Sequence, residues 1–153
     1  ETEKQAGDAT GICVCFLKDN KVYIANVVEL RKEFHDLLKY IPAFVNTNQY
    51  SRDSKIKVEP KTSGKSIVSQ IRATTKLNIV ELPAPKDDKI TRVKAVSPLI
   101  ESGRVILLQG NYVNPFLDQM TAFPNAKHDD MVDTVVYAIS DLLMDGDFDF
   151  MFV

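Results

Sequence analysis

The stretch from 128 to 144 constrains the fold most. Val132, Val135, Val136, Ile139, Leu142 and Leu143 recur at helical spacing, so the chain here is expected to form a helix with one apolar stripe that must lie against a sheet or another helix. The same helix opens with His128-Asp129-Asp130-Met131-Val132-Asp133, which puts three carboxylates into its first turn. At about 100° per residue, Asp129, Asp133 and Asp130 follow one another along the edge of the stripe, over about 100° of arc. Like charges so placed repel, and a helix N-terminus relieves only ~0.3–1 kcal/mol for each. A hard divalent cation is the natural compensation. The bland alternative, in which Asp129 and Asp130 cap the helix and Asp133 is solvated, stands level with it on these six residues alone.

The remaining elements follow from periodicity and breakers. Residues 12–17 and 22–28 flank Lys18-Asp19-Asn20-Lys21 as a hairpin. Apolar residues at 30, 34, 37, 38 and 41 predict a helix that Pro42 bends or ends. A short strand at 56–59 carries Glu59 at its carboxyl end, and a helix over 63–74 follows. A strand at 77–82 runs into Pro83-Ala84-Pro85, then come a basic helix over 87–102 closed by Gly103, a strand at 104–108 and a short helix over 114–123. Hairpin first, then alternating helices and strands, describes an α/β domain, a mixed sheet with helices around it. One domain over 1–144 is expected, with an acidic and aromatic tail over 145–153 that either pairs as an edge strand, docks on a partner or frays.

Charge is divided unevenly although the net is only −2. Between 54 and 94 ten Lys and Arg face four acids, whereas 128–153 holds seven Asp and no Lys or Arg. A basic middle beside an acidic end suits a phosphate-binding surface flanking a metal site, and also suits scattered surface lysines. Cys13 and Cys15 share one strand face without a CxxC or histidine partner, which reads as core thiols in a reducing compartment. No apolar run approaches the ~20 residues of a membrane span, and no signal-peptide pattern opens the chain; a soluble intracellular protein is expected.

In open α/β sheets functional groups collect at strand carboxyl ends, which places Glu59 where the aspartate cluster can face it. Pairing with Lys57 or Lys61 is its ordinary alternative. Two cations bridged by carboxylates from different elements are what two-metal phosphoryl hydrolysis requires. Lys61-Thr62-Ser63-Gly64-Lys65-Ser66 imitates a nucleotide-binding P-loop, but that motif needs glycine where Glu59 stands. Helix capping explains Thr62 or Ser63, and Lys61 and Lys65 are candidates for nucleic-acid backbone contacts. His128 is a candidate ligand, proton carrier or loop prop, and His35 reads as structural or solvated. No serine sits in a nucleophile elbow, so covalent hydrolysis is disfavoured.

Three segments in register, Val58-Glu59-Pro60-Lys61-Thr62-Ser63-Gly64, the stretch from Arg92 through Gly103-Arg104-Val105, and Phe123-Pro124-Asn125-Ala126-Lys127-His128-Asp129-Asp130-Met131-Val132-Asp133, resemble the C-terminal nuclease domain of tailed-phage large terminases. The resemblance implies an RNase H-like fold and a Mg²⁺- or Mn²⁺-dependent endonuclease, with two ions, that cuts concatemeric double-stranded DNA during genome packaging in the bacterial host cytoplasm. It implies the packaging ATPase domain, the small terminase subunit and the portal protein as partners, and no membrane. Glu59 matches the acid of the family's second motif, and Asp129, Asp130 and Asp133 match its third, with Asp130 and Asp133 favoured as ligands and His128 orienting them. Asp8 matches the aspartate that opens the second strand. Lys61, Lys65, Arg92 and Lys94 would meet the DNA backbone.

One departure stands out. The family's first catalytic aspartate lies on a strand ahead of the position of Asp8, so the first strand is expected to be missing from this sequence and the fragment to be weak or inactive. Rival readings are a resolvase- or transposase-like nuclease of the same fold, and a non-catalytic module that binds DNA or docks on motor or portal partners.

Overall fold

The computed structural model describes residues 9–60 and 64–144 together with the backbone of 150–152. The expectations for Asp8, Lys61 and the acidic part of the tail lie outside the described residues. Strands β1 (Thr10–Lys18) and β2 (Lys21–Leu30) form the expected hairpin. Its two turn residues, Asp19 and Asn20, take φ of 51° and 61°, the left-handed pair that matches the twist of adjoining strands. Aspartate and asparagine tolerate that conformation better than other side chains.

Helix α1 (Phe34–Thr47) runs straight through Pro42 instead of stopping there. An interior proline costs about 3 kcal/mol, but α1 buries Leu37, Ile41, Phe44 and Val45. At ~1.5–3 kcal/mol for each buried apolar side chain, packing wins. After it come β3 (Lys55–Val58), α2 (Gly64–Thr74), β4 (Ile79–Glu81), α3 (Lys89–Glu101), β5 (Val105–Leu107), α4 (Val113–Ala122) and α5 (Asp130–Ile139). Asp88 caps α3, accepting a hydrogen bond from the Thr91 amide at 2.8 Å. The last predicted helix is therefore shorter at both ends, and α5 widens into a π turn at Ser140–Met144.

The strands form one mixed sheet in the order β4-β3-β6-β1-β2-β5. Strand β6 (Phe150–Phe152) is not at an edge: it pairs antiparallel with β1 and parallel with β3. Helices cover both faces, as the expected fold class requires. Ile12, Ile56, Val58 and Ile79 pack with α1 and α2 on one side, while Cys13, Cys15, Val22, Ile24 and Val27 pack with α3, α4 and α5 on the other. Both cysteines are buried and neither is in a disulfide, as core thiols should be.

A bulge in the hairpin determines what faces α5. The register passes from Cys15↔Ile24 to Val14↔Asn26, leaving Ala25 without an opposite residue. An extra residue reverses the alternation beyond it. Val22 and Ile24 belong to the α5 side before the bulge and Val27 after it, while Val28 and Leu30 turn to the α1 side. Glu29 follows Val27 onto the α5 face.

Candidate functional site

Two glycines seat the acidic residues. A Cβ on Gly11 would lie 2.3 Å from the carbonyl oxygen of Asp130, so the first turn of α5 rests directly on the backbone of β1. A Cβ on Gly64 would lie 2.6 Å from the carbonyl oxygen of Glu59. The start of α2 therefore presses on the segment that leaves β3. Both contacts permit only glycine without a backbone shift, and each brings a helix N-terminus beside a predicted acidic residue.

The aspartate cluster divides into two groups. Asp129 occupies the N-cap position of α5 but its side chain caps nothing. Instead the Lys89 ammonium lies 3.1 Å from Oδ1 of Asp129 and 2.8 Å from Oδ2 of Asp133. Asp133 is 5% exposed, so the bland picture of a capping Asp129 and a solvated Asp133 does not hold. Burial draws the Lys89 pKa down, but the carboxylates of Asp133 and Asp129 more than offset it and hold the ammonium above its ordinary value.

Asp130 turns the other way. One carboxylate oxygen of Asp130, one of Glu29 and one His128 ring nitrogen all lie within 4.8 Å of one another, the one such trio of acidic, histidine or cysteine ligands among the described residues. Gln119 holds this group together: its Nε2 donates to Oε2 of Glu29 at 3.3 Å and its Oε1 accepts from the Met131 amide at 3.2 Å. The Arg31 guanidinium donates to Nδ1 of His128 at 2.9 Å. Glu59 is not part of this trio.

Glu59 directly follows Val58, the last residue of β3. Ile56 and Val58 point toward α1 and α2, so alternation sends Lys57 to the α5 side. There Lys57, 3% exposed, pairs with Oδ2 of Asp141 at 2.5 Å. Asp133, Tyr137 and Asp141 lie four apart along α5 and its π turn. The pKa of Tyr137 is pushed up to about 12, by burial first and then by the negative charges of Glu59 and Asp133, with Arg92 opposing.

Beside Tyr137 and Asp141 opens a cleft of about 400 Å³ between the 82–87 loop, α3 and α5. The Arg92 guanidinium stands over the Tyr137 ring, 4.8 Å from its centroid. Lys94 is exposed on the same helix, whereas Lys65 is exposed at the start of α2, on the other side of the sheet. Sequence reading did not single out Glu29, Arg31, Lys89, Gln119 or Tyr137. Tyr137 carried a signal, four residues beyond Asp133; Glu29 carried none, because only the bulge at Ala25 turns it toward α5.

Among the described residues no helix is long and apolar enough to cross a membrane. A family model described as Terminase RNaseH-like domain matches residues 1–142. No curated protein matches the chain.

Proposed function

The chain belongs to the terminase RNaseH-like domain family, and on that premise we propose that it is the endonuclease domain of a phage DNA-packaging terminase, hydrolysing phosphodiester bonds of concatemeric double-stranded DNA. The reading extends to its setting: the bacterial host cytoplasm, with the packaging ATPase domain, the small subunit and the portal as partners. The observation that carries it is the Lys89 ammonium held between Asp129 and Asp133. A cation already compensates these two carboxylates at the start of α5, one of them almost fully enclosed.

Two Mg²⁺ or Mn²⁺ ions fit these donors, since hard oxygen ligands from several elements suit both metals; Asp129 and Asp133 with Glu59 would hold one and Asp130 beside Glu29 and His128 the other, and they would supply Lewis acidity and a more acidic bound water. The protein's own groups prepare the rest. Gly11 fixes Asp130 and Gly64 fixes Glu59 through backbone contact, so neither acid depends on a flexible loop for its place. Lys89 is 46% exposed at its side chain, with room to swing out when a divalent ion takes its position. Arg31 and Gln119 orient His128 and Glu29 beside Asp130. Arg92 and Lys94 supply positive charge for the DNA backbone, a contact that positions the strand without reading bases; Lys65, on the other side of the sheet, does not share it.

Cleavage of supercoiled plasmid with Mn²⁺ tests the reading. The intact protein should nick or linearise the plasmid, and Glu59→Gln or Asp133→Asn should lower the rate by at least about 10²-fold, the size of losing a ligand that stabilises transition-state charge. Variants that cut at the parental rate would refute it.

A further inference from the structure

Six side chains on the α1 side of the sheet stand in two rows near its β5 edge. Cys13, Cys15 and Leu17 pack toward α5, so Phe16 and Lys18 face the other way; Val22 and Ile24 likewise turn Lys21 and Tyr23 from α5. In β5, Val105 and Leu107 pack toward α5, which sends Ile106, and Arg104 just before the strand, to the same side as Tyr23. The register sets Phe16 opposite Tyr23 and Tyr23 opposite Ile106, an apolar row across three strands. The neighbouring row is cationic. Lys18 lies opposite Lys21, and the Val22 amide donates to the Arg104 carbonyl at 2.8 Å, which sets Arg104 beside Lys21.

The packed cores stop short of this corner. Helix α1 reaches the face at Asn26, whose Nδ2 donates to Oδ1 of Asn48 at the helix end, 3.4 Å away. Phe16, Tyr23 and Ile106 are partly exposed and belong to neither core, and Lys18 and Lys21 are exposed. Like charges directly opposite one another on adjacent strands destabilise a sheet. Asp19 in the turn brings one acid against three cations. Arg104 donates to the carbonyl and side-chain oxygens of Asn20 at 3.1 and 2.8 Å, but neutral acceptors cancel no charge.

We propose that this face docks one amphipathic helix of a partner protein, its apolar stripe on Phe16, Tyr23 and Ile106 and its acidic residues against Lys18, Lys21 and Arg104. Three strands spaced ~4.8 Å apart span about 10 Å, the width of one helix. Such a helix extends the layer that α1 and α2 already form on this face. Charge sets its sign, and a second copy of this chain would bring the same cations on the same face. The rings argue against a nucleic acid. Phe16 and Tyr23 stack at 5.1 Å with an interplanar angle of 6°, close to the spacing of their strands. Their planes therefore stand upright on the sheet and turn edges outward, whereas stacking of bases requires exposed ring faces. The surface lies on the side of the sheet away from α5, so it is independent of cleavage.

Fluorescence anisotropy of the intact protein tests this with two labelled peptides of about 18 residues, long enough to form a helix. Both carry leucines at helical spacing along one face; one flanks them with glutamates and the other with lysines. The acidic peptide should bind saturably with a Kd of about 1–100 μM, and the basic peptide at least about tenfold more weakly. Lys18→Glu combined with Lys21→Glu should reverse that preference, which a merely structural role for two exposed lysines would not do. Ile106→Asp should weaken the acidic peptide by about tenfold, and Lys39→Glu on α1 should bind as the parent does. Circular dichroism checks folding, and reversal by the two surface lysines decides the matter should Ile106→Asp unfold. Failure of the parent to bind the acidic peptide, equal binding of both peptides, or an unreversed preference would overturn the site. A single-stranded oligonucleotide bound at this face more tightly than the acidic peptide, or a dimer of the parent that Ile106→Asp dissociates in sedimentation, would overturn its assignment to a partner helix. An uncut plasmid would count against the nuclease reading and leave these results as they are.

Discussion

The backbone of Gly11 carries the carbonyl of Asp130, with so little clearance that a methyl group there would lie 2.3 Å from the oxygen. Gly11→Ala must push the first turn of α5 off β1. The expected cost is about 1–3 kcal/mol, the range for overpacking a close contact, measured by urea denaturation. Divalent-ion affinity should fall with it, because Asp130 and Asp133 ride on the same turn; a variant with parental stability would show that the contact relaxes freely.

Lys89 competes with any cation for Asp129 and Asp133. Lys89→Met should therefore raise Mn²⁺ affinity by about tenfold, the equivalent of removing one charge-assisted contact. Calorimetry reads the change directly. Unchanged or weaker Mn²⁺ binding would mean that the ammonium marks a structural ion pair and not a cation position.

Lys57 and Asp141 tie β3 to the π turn. Removing the carboxylate leaves Lys57 buried without this partner, and Asp141→Ala should cost about 3 kcal/mol. If the pair also sets the position of α5 along β3, the Tyr137 environment should change, seen as a shift in tyrosine absorption in the folded variant.

Spectrophotometric titration should divide the tyrosines. Tyr112 and Tyr137 both have pKa values pushed up to about 12, burial being the leading cause for each. The Tyr112 hydroxyl donates within reach of the Ile24 and Leu108 carbonyls, at 2.7 and 2.5 Å. Both groups are raised above the ordinary value of 10, so the stability they contribute is complete below pH 10. It is lost as pH climbs from 10 through about 12, since the unfolded chain releases these protons first. Tyrosinate absorbance from two residues should appear only as the fold fails, and its full appearance near pH 10 with the fold intact would contradict this.

The alternating order of strands and helices was legible because each stripe keeps one period over many residues. Residues 132–143 show this best: their spacing singled out Val132, Val135, Val136, Ile139 and Leu142, all of them buried, although Met131, Asp133, Thr134 and Ala138 are buried too. Glu59 was placed by a rule about strand ends, and β3 does end at Val58. What could not be read was a matter of which residues meet. Asp129, Asp130 and Asp133 are neighbours in sequence, yet Lys89 draws two toward α3 while Glu29 and His128 gather the third. That division depends on a one-residue bulge at Ala25 and on a lysine forty residues from its partner, neither of which leaves a local pattern. The interior place of β6 was likewise hidden, because three apolar residues pair equally well at an edge or within a sheet.

The central claim is that Glu59, just past the end of β3, and Asp133, on α5, serve one metal-dependent cleavage site. It is tested most directly by plasmid cleavage in Mn²⁺ by the intact protein carrying Glu59→Gln, Asp133→Asn or both. If the two acids act as a unit, each single variant should lose at least about 10²-fold in rate and the double variant little more than either, as non-additive losses within one catalytic unit behave. Independent losses that multiply, or single variants that cut like the parent, would contradict a shared site.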